Sequence, residues 1–289
     1  MDALEQLASR FEEHRSRLKA VAYRMLGSLS DAEDVVQEAW LRLSGTAYEE
    51  VDDLGAWLTT VVVRLSLNVL RSRKTRSETY MPDPIVDSAA GTSPEHAALL
   101  ANTVGLALQV VLETLAPPER VAFVLHDIFA MPFEEIAPIV ERSADAARQL
   151  ASRARRRVQA RKVTTDDDLE AQRSVVDAFV AAVQDGDVAR LVAVLDPDVV
   201  LRSDVGAASG RLIEIRGAEH VARGAASFSF PGFARLPVLV NGAAGLVCTL
   251  NGKRFAVMAF TVRAGKITEI DVLRDPARLG QLDLAMLDG

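Results

Sequence analysis

The chain has 289 residues and a mass of 31.2 kDa, about two domains at ~150 residues each. Apolar residues make up 49% and charged residues 25%, which excludes a disordered chain, and one cysteine, Cys248, excludes an internal disulfide and a multi-cysteine metal site. The net charge of −7 argues against a polyanionic partner until its distribution along the chain is read.

Residues 4–26 place Leu4, Leu7, Phe11, Leu18, Val21 and Met25 on one helical face, and Gly27 ends the helix. Ser30-Asp31-Ala32-Glu33 has the spacing of a capping box. The helix it opens turns Val35, Val36, Ala39, Trp40 and Leu43 inward and shows Asp31, Asp34, Gln37 and Glu38. A third helix starts near Asp53 and runs through Trp57, Val61 and Leu65 to Lys74. Residues 77–95, with Pro82, Pro84, Gly91 and Pro94, read as an extended linker. Helical patterning resumes at Glu95 and reaches Leu115, and Pro117-Pro118-Glu119 fits a helix start. Helices at 119–129, 133–140 and 144–161 follow, then a polar break at 164–168 that offers a cap for the next helix.

After residue 170 the pattern changes. Helices over 175–183 and 187–195 precede strand-like runs at 198–204, 235–241, 244–250, 253–263 and 266–273. The Asn241-Gly242 and Asn251-Gly252 pairs predict two-residue hairpin turns. The expected fold is multidomain: two all-α helical domains, then an α+β domain built on a curved antiparallel sheet. The boundaries are 1–78, a linker at 79–95, 96–162 and 168–289.

The basic residues cluster. Arg64, Arg71, Arg73, Lys74 and Arg76 have no acid among them, and Arg142 to Lys162 hold eight basic side chains against Asp145 alone. Residues 133–157 have the shape of a helix-turn-helix, with a short apolar helix, a polar turn at 141–143, and a second helix capped by Ser143. Arg148 and Gln149 fall on its early exposed face, suited to base edges. Arg153, Arg156 and Arg157 lie further along and suit phosphates. The plain alternative is a solvated, salt-bridged bundle helix, which the shortage of acids within the segment disfavours. At the first cluster, Asn68 and the arginines beside Trp57 suit unstacked single-stranded bases; Trp57 alone reads as a core residue. Two DNA contacts are therefore expected.

These segments carry a resemblance. Residues 25–43 and 54–74 resemble region 2 of extracytoplasmic-function sigma factors, and residues 115–158 resemble region 4, in the family's order and across about half of the chain. The resemblance implies an alternative RNA polymerase sigma factor that directs core polymerase to specific promoters. It assigns Asp34, Gln37 and Glu38 to docking on the β′ clamp helices, with the β flap as a second polymerase contact. It assigns Asn68, Arg71, Arg73, Lys74 and Arg76 to the −10 element. Ser143, Arg148, Gln149, Arg153, Arg156 and Arg157 go to the −35 element.

The tail resembles the SnoaL-like domain fused to one group of these factors, where it is expected to act in cis on promoter use. Tyr80-Met81-Pro82-Asp83-Pro84 is similar to that group's linker motif, and Asp275-Pro276-Ala277-Arg278-Leu279 is a looser match to its terminal motif. Tyr80, Pro82, Asp83 and Pro84 are thus expected to meet Asp275, Pro276, Arg278 and Leu279. A third motif is matched only by Asp204 and Gly206. An isomerase-type oxyanion hole would need a tyrosine, and Tyr23, Tyr48 and Tyr80 all precede the tail, so it reads as non-catalytic. Asp198, Asp204, His220 and Asp271 are the candidate polar groups of any tail pocket. His220 beside Glu219 reads as a surface residue and Cys248 as a small buried hydrophobe. No metal, cofactor or membrane contact is expected: the acidic start is unlike a targeting signal, and apolar runs fall short of ~18 residues. The expected protein is cytoplasmic and monomeric when free. The second reading is a helix-turn-helix regulator with a ligand-sensing or enzymatic tail and no polymerase docking of its own.

Overall fold

A computed structural model describes residues 3–45, 53–75, 81–92, 94–100, 106–160, 166, 168–206, 212–228, 231–282 and 284. The chain forms two compact units. One gathers Met1–Glu78, Ala97–Asn102 and Val111–Lys162, and the other gathers Thr79–His96, Thr103–Val110 and Val163–Gly289.

The first unit is helical. α1 (Ala3–Leu26), α2 (Leu29–Ser44) and α3 (Leu54–Thr75) pack on one another. Gly27, at φ +66°, ends α1, and the chain passes straight into extended Ser28, whose Oγ accepts from Asp31 N at 3.2 Å. The cap is therefore Ser28 rather than Ser30. Glu33 instead pairs with Arg15 and Lys19 of α1. Asp53 Oδ1 caps α3 by accepting from Ala56 N at 2.9 Å. Residues Leu54–Arg73 of α3, with a mean hydropathy of 1.2, are apolar and long enough to cross a membrane, contrary to the reading of short apolar runs. Here Leu54, Leu58, Val62, Val63, Leu67 and Leu70 fill a protein core.

α4 (Pro94–Leu100) and α5 (Leu106–Glu113), each divided between the two units, precede α6 (Pro117–Phe123), a π-helical turn (Val124–Ile128), α7 (Phe133–Val140) and α8 (Ala144–Ala160). Glu141, in the left-handed conformation at φ 57°, closes α7, and Ser143 Oγ caps α8 by accepting from Ala146 N at 3.2 Å. Ala147, Ala151 and Ala154 repeat at helical spacing and are fully buried, so α8 packs closely on α6 and α7. Two buried arginines tie α1 to α4 and α6. Arg24 Nη2 donates to Leu99 O at 3.1 Å, and Arg120 Nη1 donates to Met25 O at 2.7 Å while pairing with Glu113. Burial lowers the Arg24 pKa to about 10.

The second unit is one seven-stranded sheet with helices on it. Its elements are β1 (Val86–Ser88), α9 (Leu169–Asp185), α10 (Val188–Val194), β2 (Leu195–Asp204), β3 (Leu212–Arg216), α11 (Ala218–Ala226), β4 (Phe233–Val240), β5 (Ala243–Leu250), β6 (Lys253–Arg263), β7 (Lys266–Leu273) and α12 (Pro276–Gln281). The strand order is β1-β4-β5-β6-β7-β2-β3. The sheet is not purely antiparallel, because β2 lies parallel to β7. The chain between the two passes through β3, α11, β4, β5 and β6, so no hairpin joins them. Register shifts in β2, β5 and β6 bend the strands, and α9 and α11 bury Val176, Phe179, Val183 and Val221 in the core they share with the sheet. Asp168 caps α9 and Gly186, at φ 66°, ends it.

Both predicted Asn-Gly turns are present, with positive φ at Asn241, Gly242, Asn251 and Gly252. A third turn of the same kind joins β6 to β7 with Ala264 at φ 48°. Alanine has a Cβ penalty there that asparagine tolerates better. Ala264→Asn should therefore stabilise the protein by about 0.5–1 kcal/mol, read as a rise in the urea midpoint with an unchanged slope.

Candidate nucleic-acid interface

α8 holds Arg148, Gln149, Arg153, Arg156 and Arg157 on its exposed side. Arg148 pairs with Asp145 at 2.6 Å and lies 5.2 Å from the Phe133 ring centre. The helix is less unpaired than its own sequence implies, because the acids come from elsewhere in the fold. Glu119 of α6 binds Arg157 at 2.9 Å and Arg153 at 3.4 Å, and Asp127 binds Arg155 at 2.7 Å. Gln149 and Arg156 are exposed and have no ion-pair or hydrogen-bond partner among the described residues. Ser143 is engaged as the cap.

On α3, Arg64, Asn68 and Arg71 form an exposed stripe at helical spacing. Arg73 is different. Its guanidinium donates to Leu26 O at 2.7 Å and pairs with Asp31, so it fastens the end of α3 to the α1–α2 corner. Lys74 lies in the last turn of α3, and Arg76 lies outside the described residues. On α2, Asp34 and Gln37 are exposed and Glu38 is half-buried in an exchange with Arg42 at 3.0 Å. Leu41 continues the same stripe and is 56% exposed, an apolar member that a search for charge overlooks. Its signal is the spacing 34, 37, 38, 41. Trp40 turns toward Phe11, with ring centres 5.2 Å apart.

The segment read as a linker is built into the second unit. Met81 to Asp87 are all buried. β1 pairs with β4 through Val86–Val240, and Asn241 closes the junction by donating its N–H to Ile85 O at 2.7 Å and accepting from Ile85 N at 3.1 Å. Arg278 of α12 sits at the centre of a polar clip. It donates to Met81 O at 2.6 Å, pairs with Asp83 at 2.5 Å and pairs with Asp204 at 2.6 Å. Leu279 packs in a cluster with Met81 and Val86. Pro82 and Pro84 are buried, Pro276 opens α12, and Asp275 caps that helix through Ala277 N at 2.9 Å. Gly206, at φ +92°, leaves room for Asp275; a Cβ there would come within 2.8 Å of its carboxylate. The structure thus brings Asp83, Arg278 and Leu279 together and adds Asp204, which the sequence reading offered only as a pocket group. Tyr80 lies outside the described residues.

Residues 10–76 match sigma-70 region 2 and residues 105–158 match sigma-70 region 4. The ECF RNA polymerase sigma factor SigJ of Mycobacterium tuberculosis is 41% identical, across 93% of this chain and 91% of SigJ. The chain belongs to the ECF RNA polymerase sigma factor family. The probable ECF sigma factor SigI of the same organism is 34% identical across 98% of both chains. The crystal structure of M. tuberculosis SigJ aligns with 96% of this chain and 99% of its own, at a TM-score of 0.73 and 37% identity. The tail is therefore shared along with the two sigma regions. As an ECF sigma factor the protein is an alternative initiation factor that binds core RNA polymerase and promoter DNA.

In this sigma factor's tail, an apolar cavity of about 220 Å³ lies between α9, α11 and the sheet. None of Asp198, Asp204, His220 and Asp271 lines it. Asp204 belongs to the clip, and Asp271 is buried in a pair with Arg202 at 3.1 Å. Burial opposes the charge on Arg202, yet Asp271 and Glu269 hold its pKa above the ordinary arginine value. Asp198 and His220 are exposed. Cys248 does line the cavity, and burial raises its thiol to about 11.

Two outcomes follow from this geometry. Replacing Arg278 with Met leaves Asp83 and Asp204 partly buried without their cation, and should cost about 3–5 kcal/mol in denaturant unfolding of the second unit. For Cys248 the unfolded thiol ionises first as pH rises. Its contribution to stability is complete below pH 9 and is lost between about 9 and 11, so a Cys248→Ala variant should show a shallower fall in melting temperature across that window.

Proposed function

We propose that α2 docks on the β′ clamp helices through Asp34, Gln37, Glu38 and Leu41, with the β flap engaging region 4. Charge and apolar surface share one exposed stripe there, which suits a basic partner with an apolar anchor. Asn68 and Arg71, with Lys74 and Arg76, meet the −10 element. Arg73 contributes by holding α3 in place rather than by reaching DNA. Arg148 and Gln149 read −35 base edges, and Arg156 with Arg153 and Arg157 meets phosphates. The Arg148–Asp145 pair is exposed, so exchanging it for a base costs under about 1 kcal/mol.

The tail acts in cis. The observation that carries this is the burial of residues 81–87 in the tail's own sheet and clip. Those residues join the −10 and −35 regions in sequence, so the tail holds the connector between them. The tail is read as a regulatory module rather than a catalyst: among the described residues its cavity is lined by no carboxylate, histidine or tyrosine, the groups that general acid–base chemistry of this kind uses.

Reconstituted transcription from a cognate promoter tests these assignments together. Arg148→Ala and Gln149→Ala should each lower −35-dependent initiation by about 10–100-fold, the loss of ~1–3 kcal/mol of base discrimination, with core binding intact. Asp34→Lys combined with Leu41→Ser should weaken core binding while the thermal melt stays in place. Ending the chain before Leu169 should change promoter output, since β1 then loses its partner strand. Equal transcription by the truncated and intact proteins would make the tail a passenger.

A further inference from the structure

The tail cavity has a composition that points to a ligand. Its walls are aliphatic and aromatic, with Phe179 and Leu246 deep in the fold and Met258 partly buried beside them. Three polar groups interrupt them. Ser203 is 7% exposed, and its Oγ is buried with no hydrogen-bond partner. A buried hydroxyl left unpaired is costly, and such groups call for an explanation. Ser203 and Leu201 face the cavity, while Arg202 between them turns to the other side of the sheet and its acidic partners.

Arg235 and Arg274 are the other two. Neither has a carboxylate partner among the described residues. Arg235 donates to Phe228 O at 2.8 Å and lies 4.6 Å from the Phe233 ring centre. Arg274 lies 4.6 Å from the Phe255 ring centre and 5.6 Å from that of Phe228. Aromatic faces thus hold both guanidiniums beside the cavity while leaving donors unused. Burial pulls the Arg235 pKa below the ordinary arginine value, so an anion there would relieve a real cost. Among the described residues, the cavity's two cations face no anion of their own.

We infer that this cavity binds a small amphipathic carboxylic acid, with its apolar body among Phe179, Leu246 and Met258, its carboxylate on Arg235 and Arg274, and Ser203 Oγ as a further donor. A volume of about 220 Å³ exceeds the ~150 Å³ of a cavity that accepts benzene, so the body is a short acyl chain or one substituted ring. Arg274 stands four residues before Arg278, joined to it through capped α12, and its backbone N–H donates to Asp204 O at 2.7 Å. The anion site and the linker clip therefore share one short stretch of chain.

Calorimetric titration of the full-length protein with octanoate and phenylacetate tests this, with octanamide and phenylacetamide as uncharged counterparts. At least one acid should bind at one site per chain, at least about tenfold more tightly than its amide, as a charge-assisted hydrogen bond of ~1.5–3 kcal/mol requires. Arg235→Gln and Arg274→Gln should each weaken the acid about tenfold or more without weakening the amide. Gly224 has open space where a Cβ would stand, so Gly224→Leu fills the cavity on a helix that tolerates leucine better than glycine, and should abolish binding in a folded protein. No saturable binding by either acid overturns the proposal. Equal affinity for acid and amide, or acid binding that survives Gly224→Leu, overturns it as well. None of these readouts involves polymerase or promoter, so they stand apart from the transcriptional assignments.

Discussion

One guanidinium organises the second unit. Arg278 binds a backbone carbonyl and Asp83 on the connecting segment and Asp204 at the end of β2, so it joins three stretches far apart in sequence. Each partner alone is an acid in a partly buried place, and each is tolerable only because the same cation serves both. Around this clip the apolar cluster of Met81, Val86, Val240, Leu273 and Leu279 closes. The connecting segment is consequently a strand of the sheet, and α12 is its fastening.

The first unit uses buried arginines in another way. Arg24 and Arg120 donate to backbone carbonyls at the ends of helices, Leu99 O and Met25 O. Helix C-termini leave carbonyls without intrahelical partners, and an arginine reaching from a distant helix satisfies them while fixing which helices are neighbours. Glu119 plays the complementary part, receiving Arg153 and Arg157 from α8. Some of the positive charge that the sequence offers to DNA is therefore already committed to tertiary structure.

Where periodicity and turn chemistry act locally, the sequence was readable. The helices of both sigma regions, the strands from β4 to β7 and the two Asn-Gly turns fall where hydrophobic spacing places them. The misses share a physical cause, which is that distant partners decide them. β1 is three residues long and proline-rich upstream, and becomes a strand only because β4 offers an edge. The β2–β7 parallel pair cannot be read from adjacent hairpins. Arg73 looks like every other arginine in its cluster until Leu26 O and Asp31 arrive from across the bundle. Leu41 is apolar among charged neighbours, and only helical spacing places it with Asp34, Gln37 and Glu38. Glu33 had the right spacing for a capping box, but two cations on α1 outcompete the backbone for it.

The short β1 strand has a consequence of another kind. In the strand order it is the outermost member beside β4, so it acts as a cover on a row of backbone donors and acceptors. Any rearrangement that draws residues 86–88 away would uncover the β4 rim at Val238, Leu239 and Val240, an apolar edge of the kind that recruits foreign strands and seeds self-association. Withdrawal of this connector therefore carries a solubility penalty, and an activated state that needs it must supply a replacement strand or a covering surface from its partner.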